Sequence, residues 1–157
     1  MIPVFEPTLT AEAHSYVSEC MSTNWISSQG DFITKFETKL SKLHEDRHCA
    51  VTSSCTTALH LALLACDIGP GDEVICPDLT FIAPVNMISL TGAKPVLCDV
   101  ETETFCISVD TIRPKITNQT KAIVVVHAFG HLANMPEILE LGKKYNLHVI
   151  EDVAEAP

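Results

Sequence analysis

The run Thr52-Ser53-Ser54-Cys55-Thr56-Thr57 puts hydroxyls and a thiol directly before a strongly apolar stretch, residues 58–65, and so reads as a strand-to-helix turn. At a helix start the first backbone N–H groups lack intrahelical acceptors. With hydroxyls beside them and no carboxylate in the first turn, they suit an anion such as phosphate. The same residues equally suit ordinary Ser/Thr capping. Asp152 closes the run Leu147-His148-Val149-Ile150-Glu151-Asp152. A carboxylate behind such an apolar run is costly unless it is solvated or paired with a cation. A protonated pyridine nitrogen is such a cation, and N-capping of a following helix is the other use of an Asp here. Phe81 follows the apolar run 74–77 and the short loop Asp78-Leu79-Thr80, where its ring either stacks on a flat ligand or joins the core.

Other chemistries fit poorly. His44-Glu45-Asp46-Arg47-His48 matches H-E-x-x-H, but that zinc signature needs both histidines on one face of a continuous helix. His48 already abuts the extended pattern Cys49-Ala50-Val51-Thr52, so the segment reads as a charged connection. The six glycines form neither G-x-G-x-x-G nor a Walker A loop. Twenty acidic residues against ten Lys plus Arg give a formal charge of −10, which repels nucleic acid and anionic lipid. No apolar run has the length of a signal peptide or a membrane span, so a cytoplasmic protein is expected. Seven cysteines without a C-x-x-C pair, most of them inside apolar strand or helix patterns, read as reduced, buried small hydrophobes.

These residues need a scaffold, and the hydropathy pattern supplies one. Helical spacing marks residues 9–21 and 32–43, the latter through Phe32, Ile33, Phe36, Leu40 and Leu43. From residue 49 onward, apolar runs alternate with helical ones. Strands are expected at 49–52, 73–76, 95–100, 121–127 and 148–152, and helices at 56–66, 82–90, 109–116 and 136–145. Five strands separated by helices imply β-α-β units: a three-layer α/β fold with a mainly parallel sheet. In such sheets ligands bind beyond the carboxyl ends of the strands. The polar residues there are Ser53 to Thr57, Asp78 to Phe81, Asp99, His127 and Asp152.

Read in order, Asn24-Trp25-Ile26-Ser27, Ser53-Ser54-Cys55-Thr56-Thr57-Ala58-Leu59-His60, Gly69-Pro70-Gly71-Asp72-Glu73-Val74-Ile75 and Pro77-Asp78-Leu79-Thr80-Phe81-Ile82-Ala83 resemble the DegT-type sugar aminotransferases. So do Gly92-Ala93-Lys94-Pro95-Val96, Val126-His127 and Glu151-Asp152-Val153-Ala154-Glu155-Ala156, the last being most similar to the perosamine-synthase-like branch. The resemblance covers essentially the whole chain. It implies a pyridoxal 5'-phosphate enzyme of fold type I, the aspartate aminotransferase-like large domain. Such an enzyme moves an amino group, usually from glutamate, onto a nucleotide-linked keto sugar.

By that resemblance Cys55, Thr56 and Thr57 bind the cofactor phosphate, with Cys55 standing where Gly or Ala is more usual. Phe81 stacks on the ring, Asp152 pairs with its nitrogen, and Glu155 lies near its phenolic oxygen. The family's covalent lysine and a second phosphate-binding Ser come well after E-D-x-A-x-A, and no residue of this chain matches them; Lys121, Lys143 and Lys144 stand on other segments. The expected organisation is therefore an arm, residues 1–31, before a partial large domain, residues 32–157, with the crossover helix after the last strand and the second domain lacking. Such a truncated chain is expected to be inactive alone, and to work as a homodimer or with a complementing chain. A non-catalytic module binding a phosphorylated ligand or a full-length homologue is the alternative.

Overall fold

A computed structural model describes residue 2 and residues 6–156. Residues 1 and 3–5 of the expected arm, and residue 157, lie outside that description. Two compact units emerge, Met1–Val51 and Thr52–Pro157.

The first unit holds α1 (Ala11–Thr23) and α2 (Asp31–Leu43), close to the expected helices. Thr10 caps α1 by accepting the Ala13 N–H, and Asn24 ends it in the left-handed region, a regular helix stop. Helix α2 stops at Leu43. Glu45 and Asp46 then take positive φ (55° and 59°), so His44 and His48 share no helical face. The run Cys49-Ala50-Val51-Thr52 is not the expected strand. A strand exists only through a ladder partner, and the Val51 N–H instead donates to the Glu37 carboxylate at 2.9 Å.

The second unit is a parallel sheet of four strands in the order β2-β1-β3-β4, comprising β1 (Glu73–Pro77), β2 (Lys94–Cys98), β3 (Thr120–Val126) and β4 (His148–Asp152). Helices α3 (Cys55–Ala65), α4 (Ala83–Leu90), α5 (Val109–Ile112) and α6 (Met135–Tyr145) surround it. Alternation along the strands builds two cores. Val74, Cys76, Ala122, Val124 and Val126 face Leu59 and Leu63 of α3 and Ile88 of α4. Ile75, Ile123 and Val125 face Ile112 of α5 and Ile138 and Leu141 of α6. Both faces of β3 are covered, which is why its run Ala122-Ile123-Val124-Val125-Val126 is apolar without interruption. All seven cysteines are free; Cys76, Cys98 and Cys106 are buried as expected, whereas Cys20, Cys49 and Cys66 are only half-buried and Cys55 is exposed.

The α6–β4 packing leaves no room for a side chain at Gly142. A Cβ there would sit 2.8 Å from Val149 Cγ2. Gly142→Ala gains up to about 1 kcal/mol of helix propensity, but the clash with a stiff β-branched neighbour costs about 1–3 kcal/mol. A lower urea midpoint is therefore expected, and Gly142→Ala/Val149→Ala should recover part of it.

At the amino ends of the strands, Glu73 accepts from Lys94 Nζ at 2.8 Å and from Thr117 Oγ1 at 2.6 Å. Donation from Lys94 and then Thr117 holds this carboxyl below its ordinary value, against the opposing effect of burial. The folded pKa is thus the lower one, so the stability Glu73 confers is present above the unfolded carboxylate pKa and lost as pH falls through the folded value. Urea midpoints measured from neutral to acid pH should fall less steeply for Glu73→Gln than for the parent.

Candidate functional site

The chain runs from β1 outward to β2, then crosses back over β1 to reach β3 and β4. The order therefore reverses between β1 and β3, and a crevice opens beyond their carboxyl ends. A cleft of about 400 Å³ lies there, lined by Cys55 and Thr56 from α3, Thr80 and Phe81 after β1, Phe129 after β3, and Asp152 and Glu155 from β4 and beyond.

At one end is the start of α3. Ser54 and Thr57 form a reciprocal capping box: the Ser54 hydroxyl accepts the Thr57 N–H at 3.3 Å, and Thr57 Oγ1 accepts the Ser54 N–H at 3.2 Å. Thr57 is thereby committed to the cap and, unlike Cys55 and Thr56, does not line the cleft. The N–H groups of Cys55 and Thr56 have no partner among the described residues.

Across the cleft, Asp152 is buried at 7% exposure. Its Oδ1 accepts the Ala154 N–H at 3.1 Å and the Cys55 thiol at 3.4 Å, while Oδ2 has no partner among the described residues. No Lys, Arg or His of the described residues forms an ion pair with it. A buried carboxylate with one free oxygen and no cation is costly unless a ligand provides the positive charge. Partial burial, and after it the Asp152 charge and hydrogen bond, push the Cys55 thiol up to about 11, so it stays a neutral donor at physiological pH.

Phe81 is 71% exposed and borders the opening, which removes the core-packing alternative for it. Glu155 reaches the cleft with Oε2 accepting the Phe129 N–H at 2.8 Å. Asp78 and Asp99 follow their strands but stay outside the lining. Thr80 falls in the strand-end stretch Asp78 to Phe81 that the sequence marks, whereas Phe129 is a lining residue that it does not single out. Among the described residues Thr80 Oγ1 is buried without a partner. Phe129 adopts φ 53°, ψ 30°, a left-handed conformation unusual for a bulky residue, and no local sequence signal announces it.

A helix start with unpartnered N–H groups, an exposed aromatic face and a buried carboxylate without a cation among the described residues surround one cleft, and this donor set fits pyridoxal 5'-phosphate. Residues 7–157 match the DegT/DnrJ/EryC1/StrS aminotransferase family model, so the chain belongs to that family. It is 52% identical over 99% of its length to GDP-perosamine synthase of Escherichia coli O157:H7, covering 43% of that protein. Its fold matches an aminotransferase from Psychrobacter cryohalolentis at a TM-score of 0.92 and 37% identity, covering 96% of this chain and 38% of the other. NtdA of Bacillus subtilis, solved with bound cofactor PMP, matches at a TM-score of 0.85 and 36% identity, over 91% of this chain and 33% of that one. The chain thus spans less than half the length of the curated relatives it matches.

Proposed function

We propose that residues 52–156 form the cofactor-cradling portion of a pyridoxal 5'-phosphate-dependent aminotransferase acting on a nucleotide-linked keto sugar, with glutamate as amino donor. The observation that carries this reading is Asp152, a buried carboxylate without a cation, facing the start of α3 across one cleft. Support for the substrate class comes from the 52% identity to a GDP-perosamine synthase.

In this reading the N–H groups of Cys55 and Thr56 and the Thr56 hydroxyl take the cofactor phosphate, and the Ser54–Thr57 box holds that turn in shape. Phe81 lies against the ring, and Asp152 keeps the ring nitrogen protonated through its free oxygen. Glu155 stands near the phenolic oxygen. When bound, the cofactor supplies an electron sink for breaking the donor Cα–H or sugar C–H bond. Among the described residues the cleft lining contains no lysine; Lys121 lies on β3, and Lys143 and Lys144 on α6. In this reading residues 1–157 alone bind the cofactor non-covalently, and a homodimer or a complementing chain is part of the proposal. Among the described residues no helix is long and apolar enough to cross a membrane; a cytoplasmic location is part of the proposal.

The test is a titration of the 157-residue chain with pyridoxal 5'-phosphate, followed by absorbance and fluorescence quenching, then borohydride treatment and mass spectrometry. Saturable binding without a trapped adduct is expected. Absence of any saturable binding would overturn the cofactor assignment, and a trapped adduct would overturn the non-covalent one.

A further inference from the structure

His127 follows β3 and lines no part of the cleft, yet its imidazole is 2% exposed and engaged at both nitrogens. The Ala133 N–H donates to Nδ1 at 3.1 Å, so Nδ1 carries no proton; Nε2 carries it and donates to Glu151 Oε2 at 3.1 Å. The His127 backbone N–H also donates to the Asp152 carbonyl at 3.1 Å. One residue therefore ties both ends of the loop 127–133 together and fastens it to β4.

Between those ends sits Phe129 in its left-handed conformation, its N–H donating to Glu155. Its ring meets Phe105 edge-on at 5.8 Å. A bulky side chain holds such a backbone only where its surroundings over-determine it. The Phe105 contact is half-exposed, since Phe105 is 41% and Phe129 68% accessible. Two enclosed side chains restrain the loop: the buried Cys106 thiol donates to the His131 carbonyl at 3.5 Å, and the imidazole fixes where the loop returns at Ala133.

We propose that His127 is a positioning residue: its single-tautomer imidazole clamps the 127–133 loop so that the Phe129 N–H holds the Glu155 carboxylate at the cleft. The link from Glu155 to ligand rests on the cofactor reading above, whereas the clamp itself does not.

Three substitutions separate the two ring bonds. In His127→Asn the side-chain oxygen occupies the Nδ1 position and keeps the Ala133 bond. In His127→Gln the amide reaches only the Nε2 position and keeps the Glu151 bond. His127→Phe fills the volume and keeps neither. Amide hydrogen exchange at Phe129 in the cofactor-free chain should speed up about tenfold or more in His127→Gln and His127→Phe, and stay near the parent rate in His127→Asn. The Glu155 side-chain carboxyl resonance should shift in His127→Gln and His127→Phe only. Equal acceleration in all three variants, or none in His127→Phe, would overturn the clamp. As a second readout, His127→Gln and Glu155→Gln should weaken pyridoxal 5'-phosphate binding non-additively, because one acts through the other. Additive effects would overturn the route through Glu155. If the parent chain binds no cofactor while the exchange pattern holds, the functional reading fails and the clamp stands.

Discussion

Asp152→Asn is expected to weaken pyridoxal 5'-phosphate binding by about 10- to 150-fold while leaving the cofactor-free chain as stable as the parent, or slightly more so. The affinity loss follows from removing a charge-assisted hydrogen bond, worth about 1.5–3 kcal/mol. The unharmed stability follows from the same geometry. Asn keeps an oxygen to accept from Cys55 and Ala154, which now meet Oδ1 at 3.4 and 3.1 Å. It also relieves the burial of a carboxylate that has no cation beside it. Absorbance titration and urea unfolding of the same preparation read both quantities. Unchanged affinity, or a collapse of stability with affinity retained per folded molecule, would show that Asp152 serves the scaffold and not a ligand.

Ile123→Ala should have the reverse profile. Ile123 is fully buried in the middle of β3, aligned with Ile75 of β1 and Val149 of β4, and packed in the core beneath α5 and α6. Truncation removes apolar contact and leaves a cavity between the sheet and helices α5 and α6, costing about 2–5 kcal/mol. Phe81→Ala removes a larger side chain, yet at 71% exposure it should cost under about 0.5 kcal/mol. Its effect belongs in cofactor affinity. Paired denaturation curves check both, and a Phe81→Ala penalty near that of Ile123→Ala would place the ring in the fold and not at the ligand.

How much of this was legible in the sequence depended on whether the cause was local. Helix α2 was readable because Phe32, Ile33, Phe36 and Leu40 repeat at helical spacing, and β3 because an uninterrupted apolar run of strand length fits a doubly covered strand. The segment Cys49-Ala50-Val51-Thr52 has strand composition but no ladder neighbour here, and pairing is not a property of four residues. The turn before α3 left capping and anion binding as rivals; Ser54 and Thr57 form the cap, while Cys55 and Thr56 line the cleft. Asp152 was visible as a carboxylate behind an apolar run. Phe129 was not, because its N–H bonds a carboxylate far along the chain, that of Glu155, and no local pattern records that pairing. Thr80 lay in the marked stretch Asp78 to Phe81, but the burial of its Oγ1 without a partner among the described residues was not legible, since burial of one oxygen is decided by the neighbours around it.

The Glu73 network and the cleft stand at opposite poles of the same four strands. In the proposed reading labour is divided along the strand axis: one rim bears on endurance in acid, the other on what is held, and the apolar clusters of the sheet lie between them. An engineer could therefore retune acid tolerance through Glu73, Lys94 and Thr117 without disturbing recognition, and reshape recognition through the far loops without eroding robustness.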